Sequence, residues 1–99
     1  MVGFLTNVSR ILINVKSNRE AGNVFSDIII KIEDKGIGMI IELKYAEDAR
    51  LSAECESTMK QIEATGYTSE LKDAGFHKIL KYGLACYKKK CKVIFEEEQ

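Results

Sequence analysis

The 99-residue chain contains no proline, a single histidine and no surplus of charge of either sign. Without proline or a low-complexity stretch it has no linker to divide it, so residues 1–99 are read as one domain. Fifteen Lys plus Arg balance fifteen Asp plus Glu, which excludes a globally basic nucleic-acid-coating module; any phosphate-binding surface has to be a local patch. No apolar run approaches the roughly 20 residues that span a bilayer, and the N-terminus lacks the charged and apolar regions of a signal peptide. The expectation is a soluble, cytoplasmic protein with no membrane partner. Cys55, Cys86 and Cys91 form no CxxC pair and have no histidine partners for zinc. Their odd number argues against a disulfide framework, so all three read as reduced, half-buried hydrophobes. The lone His77 stands beside a turn and is assigned no role.

What the chain does contain is 45% hydrophobic and 30% charged residues, the balance of a compact domain. A domain this small buries only about 60 to 65% of its unfolded surface, so a partner is expected to complete its thin core. From Gly3 to Val15, Phe4, Leu5, Val8, Ile11, Leu12 and Val15 recur at steps of three and four, which predicts a short amphipathic helix. A polar stretch, Lys16 to Asn23, follows; it begins as a brief strand and then loops out as far as Ser26. Asp27 to Glu33 and Ile37 to Lys44 are β-branched runs separated by Asp34-Lys35-Gly36, which predicts a hairpin. Their near-continuous apolar centres, Ile28 to Ile30 and Met39 to Ile41, predict central strands covered on both faces. Leu51, Cys55, Met59 and Ile62 mark a helix over 47–65, with Glu47 and Asp48 at its N-terminal end and Gly66 as its cap. Thr68 is the expected N-cap of a further short helix through Lys72, stopped by Gly75. Ile79 to Tyr87 and Cys91 to Phe95 flank Lys88-Lys89-Lys90 as a second hairpin, and residues 96–99 follow as a solvated acidic tail. The order predicts an α/β (α+β) layer structure around a mixed sheet.

The hairpin brings Asp27 to the same end of the sheet as Glu42 and Lys44. Residues two apart on a strand share a face, so Glu42 and Lys44 point the same way. Asp27 joins them only if the turn holds two or four residues or a bulge re-aims it, and Asp-Lys-Gly leaves this open. Two carboxylates and an amine at such an edge form a hard-oxygen site for a divalent cation, Mg²⁺ or Mn²⁺, of the kind that hydrolyses phosphodiesters. Glu20, on the segment leading to the same edge, could add a third carboxylate. Gln61 flanks the apolar stripe of its helix, where an amide can reach toward a cleft. Lys88, Lys89 and Lys90, with Tyr82 and Tyr87 close by, could track a nucleic-acid backbone, or could be no more than a charged hairpin tip.

Ser17-Asn18-Arg19-Glu20-Ala21-Gly22-Asn23, Ser26-Asp27-Ile28, Ile40-Ile41-Glu42-Leu43-Lys44, Gln61-Ile62 with Tyr67, and Lys81-Tyr82-Gly83-Leu84-Ala85 occur in this order. Together they resemble a PD-(D/E)XK nuclease family, in particular the restriction-endonuclease-like domain found C-terminal to bacterial predicted AAA-type ATPases. The resemblance covers about residues 4–95. It implies an αβββαβ core whose mixed central sheet is flanked by helices, with Asp27 as the metal-binding aspartate, Glu42 and Lys44 as the E-x-K pair, and Glu20 as the upstream glutamate. Gln61 and Tyr67 match the helix-borne glutamine and tyrosine. The implied activity is metal-dependent hydrolysis of nucleic acid, DNA in the first place, with an ATPase domain or subunit as an implied partner. One departure keeps a second class open: Val24-Phe25 stands where the family has Gly-Arg. An apolar pair suits a catalytically inactive module that binds nucleic acid or protein. The N-terminal apolar stripe and Phe25, expected on a loop, further suggest a homodimer.

Overall fold

The computed structural model describes the backbone of residues 11–20, 23–45 and 50–98 and the side chains of 11–17, 26–45 and 50–98. Five strands form one sheet in the order β1-β2-β3-β4-β5: β1 Ile11–Glu20, β2 Asn23–Ile32, β3 Ile37–Tyr45, β4 Lys78–Tyr87 and β5 Lys90–Glu98. Between β3 and β4 lie two helices, α1 Leu51–Thr65 and α2 Tyr67–Asp73. They form the crossover that makes β3 and β4 parallel, while every other neighbouring pair is antiparallel. The result is a mixed α+β sheet with helices, as expected.

The two central runs form the predicted hairpin. Its turn contains four residues: Glu33–Lys35 make one 3-10 turn, and Gly36 closes it at φ 65°, a left-handed conformation that glycine adopts without steric cost. Ile32 therefore faces Ile37, and the continuous register brings Asp27 directly opposite Glu42 with no bulge. The parity that the sequence left open is settled by the length of this turn.

Several elements differ from expectation. Ile11 to Val15 is not helical but the start of β1, paired with β2 from Ile11↔Ile32 onward. Three β-branched residues alternate along this segment, Ile11, Ile13 and Val15, and the β2 edge offers them a ladder, so pairing overrides the helical spacing. The part of the expected helix at 3–10, and Glu47 and Asp48 ahead of α1, lie outside the described residues. Asn23 to Ser26 belong to β2 rather than to a loop, so Phe25 is a strand residue. Thr68 is not a cap: Gly66, at φ 77°, ends α1 and starts α2, and Thr68 lies inside α2. Glu96 to Glu98 are not a tail. They complete β5, held by ion pairs from Lys81 to Glu96 and Glu98, from Lys78 to Glu97 and from Lys72 to Glu98. Cys86 and Cys91, read as reduced, form a disulfide: the two-residue turn Lys88-Lys89 puts them opposite each other, with Cα atoms 4.1 Å apart. Cys55 is a buried free thiol that donates to the Gly83 carbonyl at 3.2 Å.

The core lies between the helices and one face of the sheet, where Met59 and Ile62 of α1, Leu71 of α2 and Phe76 pack on Ile40 and Ile79. Close approach depends on Gly83, where a Cβ would collide with the Thr58 hydroxyl, and on Gly38, where it would meet Leu71. The other face of the sheet is not covered by a described helix, which corrects the expectation of strands buried on both sides. β3 alternates half-buried and buried residues because the helices lie on one side of it only.

Candidate functional site

Asp27 and Glu42 oppose each other across β2 and β3 on the helix-covered face, and Lys44 follows two residues along β3 on that same face. All three are buried, with 3%, 0% and 6% of their surface exposed. Such burial of charged groups requires compensation. The structure supplies it for Lys44, whose ammonium forms an ion pair with Glu54 of α1. It supplies part of it for Asp27, whose Oδ2 accepts a hydrogen bond from the Tyr67 hydroxyl at 3.3 Å. Asp27 Oδ1 and both carboxylate oxygens of Glu42 are buried without a hydrogen-bond partner among the described residues.

The electrostatic consequence falls on Glu42. Burial, reinforced by the Asp27 carboxyl directly opposite, pushes its carboxyl up from 4.5 to about 9. Burial also raises the Tyr67 phenol, with the Asp27 charge and hydrogen bond adding to it. Near neutral pH, Glu42 therefore keeps its proton, in a site that leaves three oxygens without a partner among the described residues. A hard divalent cation would satisfy those oxygens in place of the proton, and a set made of carboxylate oxygens suits Mg²⁺. Among the described residues no group of three or more His, Cys, Asp or Glu surrounds such an ion. The third carboxylate expected there, Glu20, is the last residue of β1, and its side chain lies outside the described residues.

The remaining expected residues are distributed unevenly. Tyr67 joins the site. Gln61 is half-buried on α1, and none of the described hydrogen bonds ties it to either carboxylate. Lys88, Lys89 and Lys90 are exposed at the β4–β5 turn, at the same end of the sheet as Lys44 but beyond β4, with the Lys88 ammonium 5.3 Å from the centre of the Tyr87 ring. Two residues escaped sequence reasoning. Glu54 lies two helical turns before Gln61 and so on the same side of α1, a spacing that could have revealed it. Lys16 faces Asp27 across β1 and β2; reading Gly3 to Val15 as a helix, with only a brief strand after it, concealed this pairing.

A family model described as the PD-(D/E)XK nuclease superfamily matches residues 2–96. Searches of curated proteins and of solved structures return no significant match. Among the described residues, no helix is long and apolar enough to cross a membrane.

Proposed function

The chain belongs to the PD-(D/E)XK nuclease superfamily, and from that premise we propose that it is a Mg²⁺-dependent nuclease that hydrolyses phosphodiester bonds of nucleic acid, DNA in the first place. The observation that carries this reading is the set of three unpartnered buried oxygens on Asp27 and Glu42. Asp27 and Glu42, with Glu20 as a third candidate, would hold Mg²⁺ or Mn²⁺. The bound ion supplies a Lewis acid for the phosphoryl oxygens and a water of lowered pKa. The Tyr67 hydroxyl fixes one oxygen of Asp27, and the other, which has no hydrogen-bond partner among the described residues, would be available to a cation. The Lys44 ammonium orients the attacking water or stabilises the charge that develops on the phosphate. Gln61 supports the site from α1. Lys88 to Lys90, exposed on its far flank at the β4–β5 turn, take the other reading open to them, a charged hairpin tip.

Calorimetric titration of the protein with Mg²⁺ and Mn²⁺ tests the metal site. Saturable binding is expected for the native chain and none for Asp27→Ala. Incubation of both with single-stranded and duplex DNA and RNA then tests the activity, and cleavage is expected only from the native chain with metal. Equal metal binding by both proteins would sink the site; binding without cleavage of any of these substrates would leave an inactive scaffold.

A second reading, an interaction module, is favoured by one observation. The sheet face that no described helix covers carries Ile13 and Val15 on β1, Ile28 and Ile30 on β2, Met39 and Ile41 on β3, and the tilted ring pair Tyr82 and Phe95, whose centres are 4.9 Å apart. Ile13 and Val15 are each 64% exposed, Val93 56% and Phe95 49%. With strands about 4.8 Å apart rising about 3.3 Å per residue, this face covers roughly 600 Å². That is at the upper limit for a monomer and near the roughly 800 Å² per partner of a stable interface. We place a second copy of the chain there, sheet against sheet. Sedimentation at micromolar concentration is expected to give twice the 11.2 kDa protomer mass, undiminished by added salt and split by Val93→Glu. A species of 11.2 kDa at every concentration would remove the dimer and give the face to another chain, such as an ATPase subunit.

A further inference from the structure

Among the described residues, the helices leave part of their own side of the sheet open. α1 packs over β3, β4 and β5, and α2 packs over β3. The same face of β1 and β2 becomes the floor of a trough walled by α2. Three cavities follow one another along it, of about 290, 100 and 280 Å³. All three are lined by Asn14 and Ile29, so they form one continuous depression. It starts at Leu12 and Lys31 and ends at Lys16, Tyr67 and Asp27.

The lining is ordered by the register. Leu12 lies opposite Lys31, Asn14 opposite Ile29 and Lys16 opposite Asp27, so a basic side chain stands at each end of the floor with apolar Leu12 and Ile29 between and beside them. Lys31 is four residues from Asp27 on β2, about 13 Å at strand rise. Glu70 stands on the α2 wall and repels an anion toward the β1 side. On the opposite flank of the site the way is closed. There α1 sits on β4 and β5, its Cys55 thiol bonded to the Gly83 and Lys92 carbonyls and its Ser52 hydroxyl bonded to the Lys92 ammonium at 2.7 Å.

We propose that this trough is the substrate path: a single-stranded polynucleotide lies along β1 and is led to the Asp27–Glu42 pair. The inference rests on the nuclease reading and adds to it the strandedness and the residues that bind. Lys16 and Lys31 take phosphates of that strand, and the apolar Leu12 and Ile29 receive bases. A floor two strands wide, with strands about 4.8 Å apart, matches the width of one polynucleotide strand. The Lys88–Lys90 turn lies behind α1 and outside this path.

The test is fluorescence anisotropy of labelled oligothymidylate with the full chain in Ca²⁺, over a series of salt concentrations. The Lys16→Ala/Lys31→Ala variant is expected to bind about tenfold more weakly, and its log-affinity against log-salt slope should fall by about 1.4, the value of two lost phosphate contacts on a single strand. The Lys16→Arg/Lys31→Arg variant should restore the slope, and unlabelled duplex should compete poorly with the probe. Lys88→Ala/Lys89→Ala/Lys90→Ala should leave both affinity and slope within about twofold of the native chain. Equal melting temperatures for all variants confirm that only the surface has changed. Native affinity and slope in the Lys16/Lys31 variant, or their loss in the hairpin variant instead, would overturn the trough while leaving the nuclease reading in place. A native chain that binds the probe without salt dependence, and cleaves nothing in Mg²⁺, would overturn both.

Discussion

In the metal-free protein, Glu42→Gln is expected to raise stability while removing divalent-cation binding and cleavage together. Glu42 is fully buried opposite Asp27, and its carboxyl is pushed up from 4.5 to about 9. Between those values the folded chain still holds a proton that the unfolded chain has released. The unfolded state then binds fewer protons, so stability falls as pH rises from about 4.5 toward about 9 and changes little outside that window for this group. At neutral pH the accumulated loss is about 3 kcal/mol, since each pH unit within the window removes up to about 1.4 kcal/mol. The substituted glutamine would have the shape of the neutral acid, donate a hydrogen bond to Asp27 and lose no stability with rising pH. Urea unfolding from about pH 5 to about pH 9 should show a falling profile for the native chain and a flatter one for the variant. Adding Mg²⁺ should flatten the native profile, because the cation binds the ionised pair and releases the proton. The variant should not respond to Mg²⁺. Parallel profiles for the two proteins would mean that the carboxylates do not confront each other as described.

Lys44→Met is expected to lower cleavage by about 10² to 10³-fold while leaving metal binding intact, the magnitude typical of removing one charge aimed at the reacting phosphate. The substitution also leaves Glu54 without its Lys44 partner. Glu54 keeps 21% of its side-chain surface in water, so the cost in stability should be below the roughly 3 to 5 kcal/mol of breaking a fully buried pair. Combining Lys44→Met with Glu54→Gln should recover that stability, because no charge remains in the pair. It should not recover cleavage. Single-turnover rates at saturating Mg²⁺, set beside unfolding curves of the same proteins, separate the two roles. If the double variant regained cleavage with stability, Lys44 would be a structural residue.

The parts of this protein legible in its sequence are those governed by short-range pattern. The β2–β3 hairpin follows from two β-branched runs around Asp34-Lys35-Gly36, and α1 from Leu51, Cys55, Met59 and Ile62 at helical steps. The gathering of Asp27, Glu42 and Lys44 at one end of the sheet follows from the hairpin, and the ordered motifs indicated the superfamily that the family match bears out. Each of these depends on residues within a few positions of one another, or on a motif string that survives without knowledge of the packing.

Tertiary structure decided what depends on register and on which surface another segment covers. Whether Asp27 faces Glu42 turned on one residue more or less in a turn, because a strand reverses its side chains at every step. Ile11 to Val15 fits both a helical and a strand period, and only the free edge of β2 selects the strand. The Cys86–Cys91 disulfide follows from hairpin register; the Lys44–Glu54 pair follows from the docking of α1 over β3, β4 and β5. That docking also leaves β1, among the described residues, without a helix over it, and so creates the trough that ends at Asp27. The disulfide apart, whose cysteines a two-residue turn brings together, these contacts have no local signal, since each joins residues whose separation in the chain is closed only when the sheet and helices pack.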